Sequence, residues 1–127
     1  MDKSIDRIKC AMIIFELERG LGRICKEQRD LLNNSPTAKE ISKRTPEKAS
    51  DHQSIIENSY LAEVIAIALH VYKGTSLEPW LTNLNGLVVA PSLVEIRNAV
   101  SHPNRPFPSS YRYPCAAIAS GPAVDAL

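Results

Sequence analysis

YLAEVIAIALHVYKG, residues 60–74, is the stretch on which the fold turns. Its apolar residues, Leu61, Val64, Ile65, Ile67, Leu69, Val71 and Tyr72, include the three- and four-residue spacings Leu61–Val64–Ile67–Val71, which are helical. With Ile55 and Ile56 upstream they cover nearly the whole circumference of a helix, so the pattern predicts one element from about Asp51 to Lys73, central and deeply buried. Gly74 supplies its stop, because glycine tolerates the left-handed conformation that ends many helices. Glu63 and His70 interrupt the apolar surface seven residues apart and so share a face. They form a satisfied pair or polar rim, or they line a cleft beside a neighbouring helix. The apolar run is too short to cross a bilayer.

Towards the N-terminus the same period continues. Ile5, Ile8, Met12 and Phe15, then Leu17, Leu21, Ile24 and Leu31 on a rotated face, predict one long helix over residues 3–32, with Gly20 and Gly22 at a bend or a close helix crossing. The polar stretch SPTAKEISKRTPEKASDHQ, residues 35–53, reads as a surface crossover. Its Ser35-Pro36 and Thr45-Pro46 pairs start short helical turns, and its lysines and Arg44 form a solvated basic run. Towards the C-terminus, Thr75 and Glu78 have capping-box spacing ahead of Trp80, Leu81 and Leu84, and Asn85-Gly86 is the expected end of that short helix. Trp80 is expected in the core or at a dimer interface. Pro91-Ser92 opens a further helix, Pro103, Pro106, Pro108 and Pro114 mark an irregular arm, and a last helix lies near Cys115 to Ser120, stopped by Gly121-Pro122. Leu87 to Ala90 is too short to build a sheet. The expectation is an all-α, up-down bundle of four to five helices with a proline-rich C-terminal arm, one domain over residues 1–127 without internal repeats.

Composition removes several function classes. With 15 basic and 14 acidic side chains the formal charge is +1, so no global field gathers a polyanion or a membrane surface, and any nucleic-acid contact must be local. Cys10, Cys25 and Cys115 are odd in number and match neither zinc nor thioredoxin spacing; reduced thiols buried as small hydrophobes are expected. MDKSIDRIK carries no secretory or transit signature, which leaves a cytoplasmic location as the expectation.

The chemistry sits in EIRNAVSHPNRPF, residues 95–107. At about 100° per residue, Leu93, Ile96, Ala99 and Val100 face a core, while Arg97, Asn98, Ser101 and His102 fill the opposite side. Asn98 and His102 are four apart and adjacent on the surface. Arg97 lies about 140° from His102, within the sweep of its long side chain. Pro103 disfavours helical torsions at His102, so the histidine is expected at a helix end, where its ring can reach solvent. Ser92 and Glu95 have capping-box spacing, which gives Glu95 a structural task. An imidazole, whose ordinary pKa is about 6.5, exchanges protons near neutrality, and a guanidinium fork matches two phosphate oxygens. Together with an orienting amide they suit metal-free and cofactor-free cleavage of RNA, in which the 2′-hydroxyl attacks its own phosphate. A solvated polar helix face is the plainer alternative, because eight arginines make an Arg–His pair at this spacing common by chance. In the arm, Arg105, Tyr111 and Arg112 interleave cations with an aromatic and are candidate RNA contacts; aromatics closing the end of the bundle are the alternative.

The string Arg97-Asn98-Ala99-Val100-Ser101-His102, late in an all-α domain, resembles the signature of the HEPN superfamily: an arginine, a polar residue often asparagine, and a histidine a few residues on. The likeness implies a small helical bundle that pairs as a homodimer and brings two motifs into one cleft. It also implies metal-independent endoribonuclease activity in toxin–antitoxin or antiviral defence, with a fused or associated NTPase or antitoxin as further partner. By that likeness Arg97 and His102 are the catalytic pair and Asn98 their positioner. The chain departs from the pattern where Pro103 and the proline-rich arm follow the histidine, and GPAVDAL at the end suggests the N-terminal part of a longer protein. A catalytically silent HEPN-like module for RNA binding or dimerisation is the main alternative, and an unrelated helical docking domain is a third.

Overall fold

Helix α5 (Leu61–Val71) takes the central place its sequence predicts: it packs against α1 (Lys3–Lys26), α2 (Arg29–Asn33), α3 (Pro36–Arg44), α6 (Glu78–Val89) and α7 (Leu93–Ser101). The remaining helices are α4 (His52–Glu57), which packs on α1, and α8 (Arg112–Ala119), also against α1. This computed structural model describes residues 3–45, 52–89, 93–102, 104, 107–108, 111–119 and 121. Among them the chain is all-helical, without a strand. Leu61, Val64, Ile65, Ile67, Ala68 and Val71 are buried on α5. Each large apolar side chain so buried contributes about 1.5–3 kcal/mol as an upper bound.

Among the described residues eight helices replace the expected four to five, because both predicted long helices break and the polar stretch between them forms α3. The break after α1 has a tertiary cause. The Tyr72 hydroxyl donates to the Ile24 carbonyl at 2.6 Å. Gln28 N–H, the ordinary helical partner of that carbonyl, turns to Cys25 O instead, at 3.1 Å. Between α4 and α5 the cause is local. The Ser59 hydroxyl donates to Ile56 O at 2.7 Å and Ser59 N–H closes a tighter turn onto the same oxygen at 3.2 Å, so that carbonyl is taken in place of its ordinary helical partner, Tyr60 N–H. Tyr60 N–H then finds the Glu63 carboxylate at 2.9 Å, and α5 starts anew.

Other expectations are corrected by burial. The polar stretch after residue 34 is no mere crossover: Pro36 opens α3, the Ser35 hydroxyl caps it by accepting from Ala38 N–H, and Ala38 and Ile41 are buried. The starts expected at Thr45-Pro46, Asp51 and Pro91-Ser92 involve residues outside the described set. Asn85-Gly86 does not end α6, which runs on to Val89. Leu81, Leu84 and Leu87 are buried one turn apart, and that outweighs the roughly 1 kcal/mol a mid-helix glycine costs. Helix α8 begins at Arg112, earlier than expected, with Pro114 in its first turn, where no backbone N–H has an intrahelical partner to lose. Gly74 does take a positive φ of 80° past α5. On α1 the buried stripe is Cys10, Ile14, Leu17, Leu21 and Ile24, while Ile8, Met12 and Phe15, of the first periodic stripe, are exposed.

The three cysteines are buried free thiols, used as small apolar residues. Burial pushes the Cys25 thiol up to about 12. Cys115 is raised too, by burial first and then by its hydrogen bond to Cys10, 2.9 Å between sulfurs at the α1–α8 contact. No described helix is long and apolar enough to cross a membrane.

Candidate functional site

Leu93, Ile96 and Ala99 are buried and anchor α7 against the bundle, which fixes where its other face points. That face forms one wall of a cleft of about 650 Å³, lined by Val94, Arg97, Asn98 and His102. Tyr60, Leu61, Ala62 and Glu63, at the start of α5, line it as well. The structure thus brings Arg97, Asn98 and His102 together, and Glu63 joins them on the opposite wall. His70, on the same predicted face as Glu63, is exposed two turns away and does not line the cleft.

His102 stands just past the last helical residue, its backbone N–H closing a turn onto Ala99 O at 3.3 Å. Its side chain is exposed, as is that of Asn98. Neither makes a side-chain hydrogen bond among the described residues, so both are available to a ligand. Arg97 is placed differently. Its Nε donates to Glu18 Oε1 at 2.8 Å and its Nη1 to the Ser101 hydroxyl, and its guanidinium lies 5.8 Å from the Phe15 ring centroid. The Arg97 and Glu18 side chains remain 32% and 24% exposed. The ion pair holds the fork in a fixed direction and offsets part of its charge. Glu95 is exposed in the first turn of α7 and is not part of the cleft lining; its expected cap partner Ser92 lies outside the described residues.

Across the cleft, Glu63 organises a second cluster. Arg44 grips its carboxylate with both ends of the guanidinium, the Nη2–Oε1 contact being 2.6 Å, and also donates to Asn58 O. The same guanidinium lies over the Tyr60 ring, 4.6 Å from its centroid. Burial alone would raise the Glu63 carboxyl; the hydrogen bonds from Arg44 and Tyr60 N–H, with the Arg44 charge, outweigh it and hold the group below its ordinary value of 4.5. Arg44 is raised in turn, first by its hydrogen bond to Glu63.

No family model, curated protein or solved structure matches the chain. The reading of the site therefore stands on its residues.

Within the proline-rich arm, Tyr111 follows the alternative expectation, an aromatic that closes the end of the bundle. Tyr111 is only 8% exposed, its ring 4.7 Å from that of Phe107, and the Arg7 guanidinium lies 5.3 Å from the Phe107 centroid. These aromatics close the end of the bundle, so Tyr111 has no open face on which a base can stack. Arg105 lies outside the described residues, and Arg112 opens α8. Trp80 is half-buried on α6, its indole nitrogen close beside Gly121. Among the described residues no group of three or more His, Cys, Asp or Glu side chains is placed to hold a metal. Reading the sequence missed Glu18 and Arg44: Glu18 is 79 residues from Arg97 and Arg44 is 19 from Glu63, so no local spacing announces either pair.

Proposed function

We propose that this chain is a HEPN-like, metal-independent endoribonuclease domain that works as a homodimer on single-stranded or looped RNA. One observation carries the reading: Arg97, Asn98 and His102 open into a single cleft in which the imidazole and the amide have no protein partner among the described residues. In the proposed reaction the His102 imidazole takes the proton of a ribose 2′-hydroxyl as its oxygen attacks the adjacent phosphorus. The bond from phosphorus to the 5′-oxygen breaks, and that oxygen receives a proton from water or from the imidazole of a second copy. A 2′,3′-cyclic phosphate and a 5′-hydroxyl result. Arg97, steered by Glu18, directs its Nη2 at the scissile phosphate, where negative charge builds. Asn98 orients the ring or the phosphate.

The Arg97–Glu18 ion pair also favours a second reading, because a guanidinium already facing a carboxylate offers a phosphate less charge. In that reading the chain is a catalytically silent HEPN-like module that binds RNA or dimerises. Incubating the purified chain with mixed-sequence RNA in excess chelator separates the two. The nuclease reading expects cleavage with 2′,3′-cyclic phosphate ends, reduced at least about a hundredfold in both Arg97→Ala and His102→Ala proteins that retain the parent's helical circular dichroism. RNA that is bound yet left intact selects the silent module.

A further inference from the structure

Tyr60 stands at the cleft rim with 71% of its surface exposed, although a guanidinium already covers one ring face. The ring is held by a closed circuit of contacts. Its own backbone N–H donates to Glu63, Glu63 grips Arg44 through both carboxylate oxygens, and Arg44 returns to lie over the ring. Arg44, itself held by Glu63, gives the ring a preferred plane before any ligand arrives, so less side-chain freedom is lost on stacking. Beyond the cation–π contact with Arg44, this large solvent-facing ring adds little to folding, because its burial is slight. Resting on the nuclease reading of the same cleft, we infer that Tyr60 is the stacking platform for one nucleobase of the bound RNA, with Arg44 and Glu63 as the residues that position it. The base lies on the ring face away from Arg44, while its sugar-phosphate passes Asn98, Arg97 and His102 on the facing wall. Every nucleobase has a π-face, so the platform supplies affinity and register without demanding a sequence.

The test is equilibrium binding of a short fluorescent 2′-O-methyl oligonucleotide, which has no free 2′-hydroxyl to attack. Tyr60→Ala is expected to weaken binding roughly five- to 150-fold, while Tyr60→Phe and Tyr60→Trp stay within about threefold of the parent. The loss should vanish with an oligonucleotide whose bases are replaced by abasic sugars. Equal binding by parent and Tyr60→Ala, a loss that persists on the abasic strand, or a parent that binds no oligonucleotide each overturns the platform. Cleavage of the matching all-ribose strand is scored separately. Tyr60-dependent binding with that strand intact keeps the platform and removes the nuclease; chelator-resistant cleavage with Tyr60-independent binding does the reverse.

Discussion

Glu63 is the residue through which the second wall of the cleft is sensitive to pH. Its folded carboxyl titrates below the ordinary value of 4.5 because the Arg44 and Tyr60 contacts outweigh the effect of burial. A group depressed by folding contributes stability that is complete above its unfolded value and is lost as pH falls through the folded one. The contribution is therefore whole at neutrality and fades below about pH 4.5. Arg44 is more than a third exposed, so solvent screening limits the effect to roughly 1 kcal/mol. Urea midpoints for the parent and Glu63→Gln at pH 7 and pH 3 check this. The parent should lead at pH 7 and lose most of that lead at pH 3; an equal gap at both values means the carboxylate charge plays no part. At this scale the sequence was legible where helical arithmetic applies and blind elsewhere. The 100° step per residue put Arg97, Asn98 and His102 on the side of α7 away from the core, and Pro103 marked His102 as a helix end. Glu18, Arg44 and the exposed Tyr60 ring were not legible, because each acts across a contact between helices that periodicity does not specify.

Between elements, the same difference explains which helices were readable. The apolar period located α1, α5 and α7 because burial of a stripe forms those helices in the first place. It missed the break after Lys26, which depends on the Tyr72 hydroxyl arriving from 48 residues away. It also missed the continuation of α6 through Gly86, where three buried leucines override a stop signal. Gly22 was readable as a close crossing, and the structure names its partner: a Cβ at this position would stand 2.9 Å from Ile56 Cγ2, on α4. Isoleucine is branched at Cβ and that methyl yields little, so a new methyl overpacks the crossing. Gly22→Ala gains about 1 kcal/mol of helix propensity and loses about 1–3 kcal/mol to overpacking, for a net loss on the order of 1 kcal/mol. In an Ile56→Ala background the obstruction is absent, and the same change should stabilise. Denaturant unfolding of the four proteins reads the sign reversal as a coupling energy. An identical effect of Gly22→Ala in both backgrounds removes the crossing as its cause.

For the whole molecule, the longest helix carries two apolar stripes and the bundle uses only one. Cys10, Ile14, Leu17, Leu21 and Ile24 face the core, while Ile8, Met12 and Phe15 remain 61%, 64% and 45% exposed. The exposed three are spaced four and three residues apart, which is the seam a second helix packs against, and a two-fold axis would set the stripe against its own copy. Phe15 lies beside the Arg97 guanidinium, so pairing along α1 would carry the motif helix α7 to the edge of the interface. That geometry suits the homodimer proposed for the nuclease, in which two motifs serve one groove. Replacing Ile8 and Met12 together by aspartate opposes four carboxylates across such an axis and removes the apolar contact. Both side chains are solvent-facing, so the folded chain should lose less than about 0.5 kcal/mol per site. Sedimentation at micromolar concentration is expected to show a dimer for the parent and a monomer for the double variant, with RNA cleavage falling alongside the dimer fraction and the helical spectrum unchanged. A parent that sediments as a monomer, or a double variant that keeps the parent's mass, excludes α1 as the pairing surface. A monomeric variant that still cleaves at the parent's rate shows instead that one cleft, with its single His102, is sufficient for the chemistry.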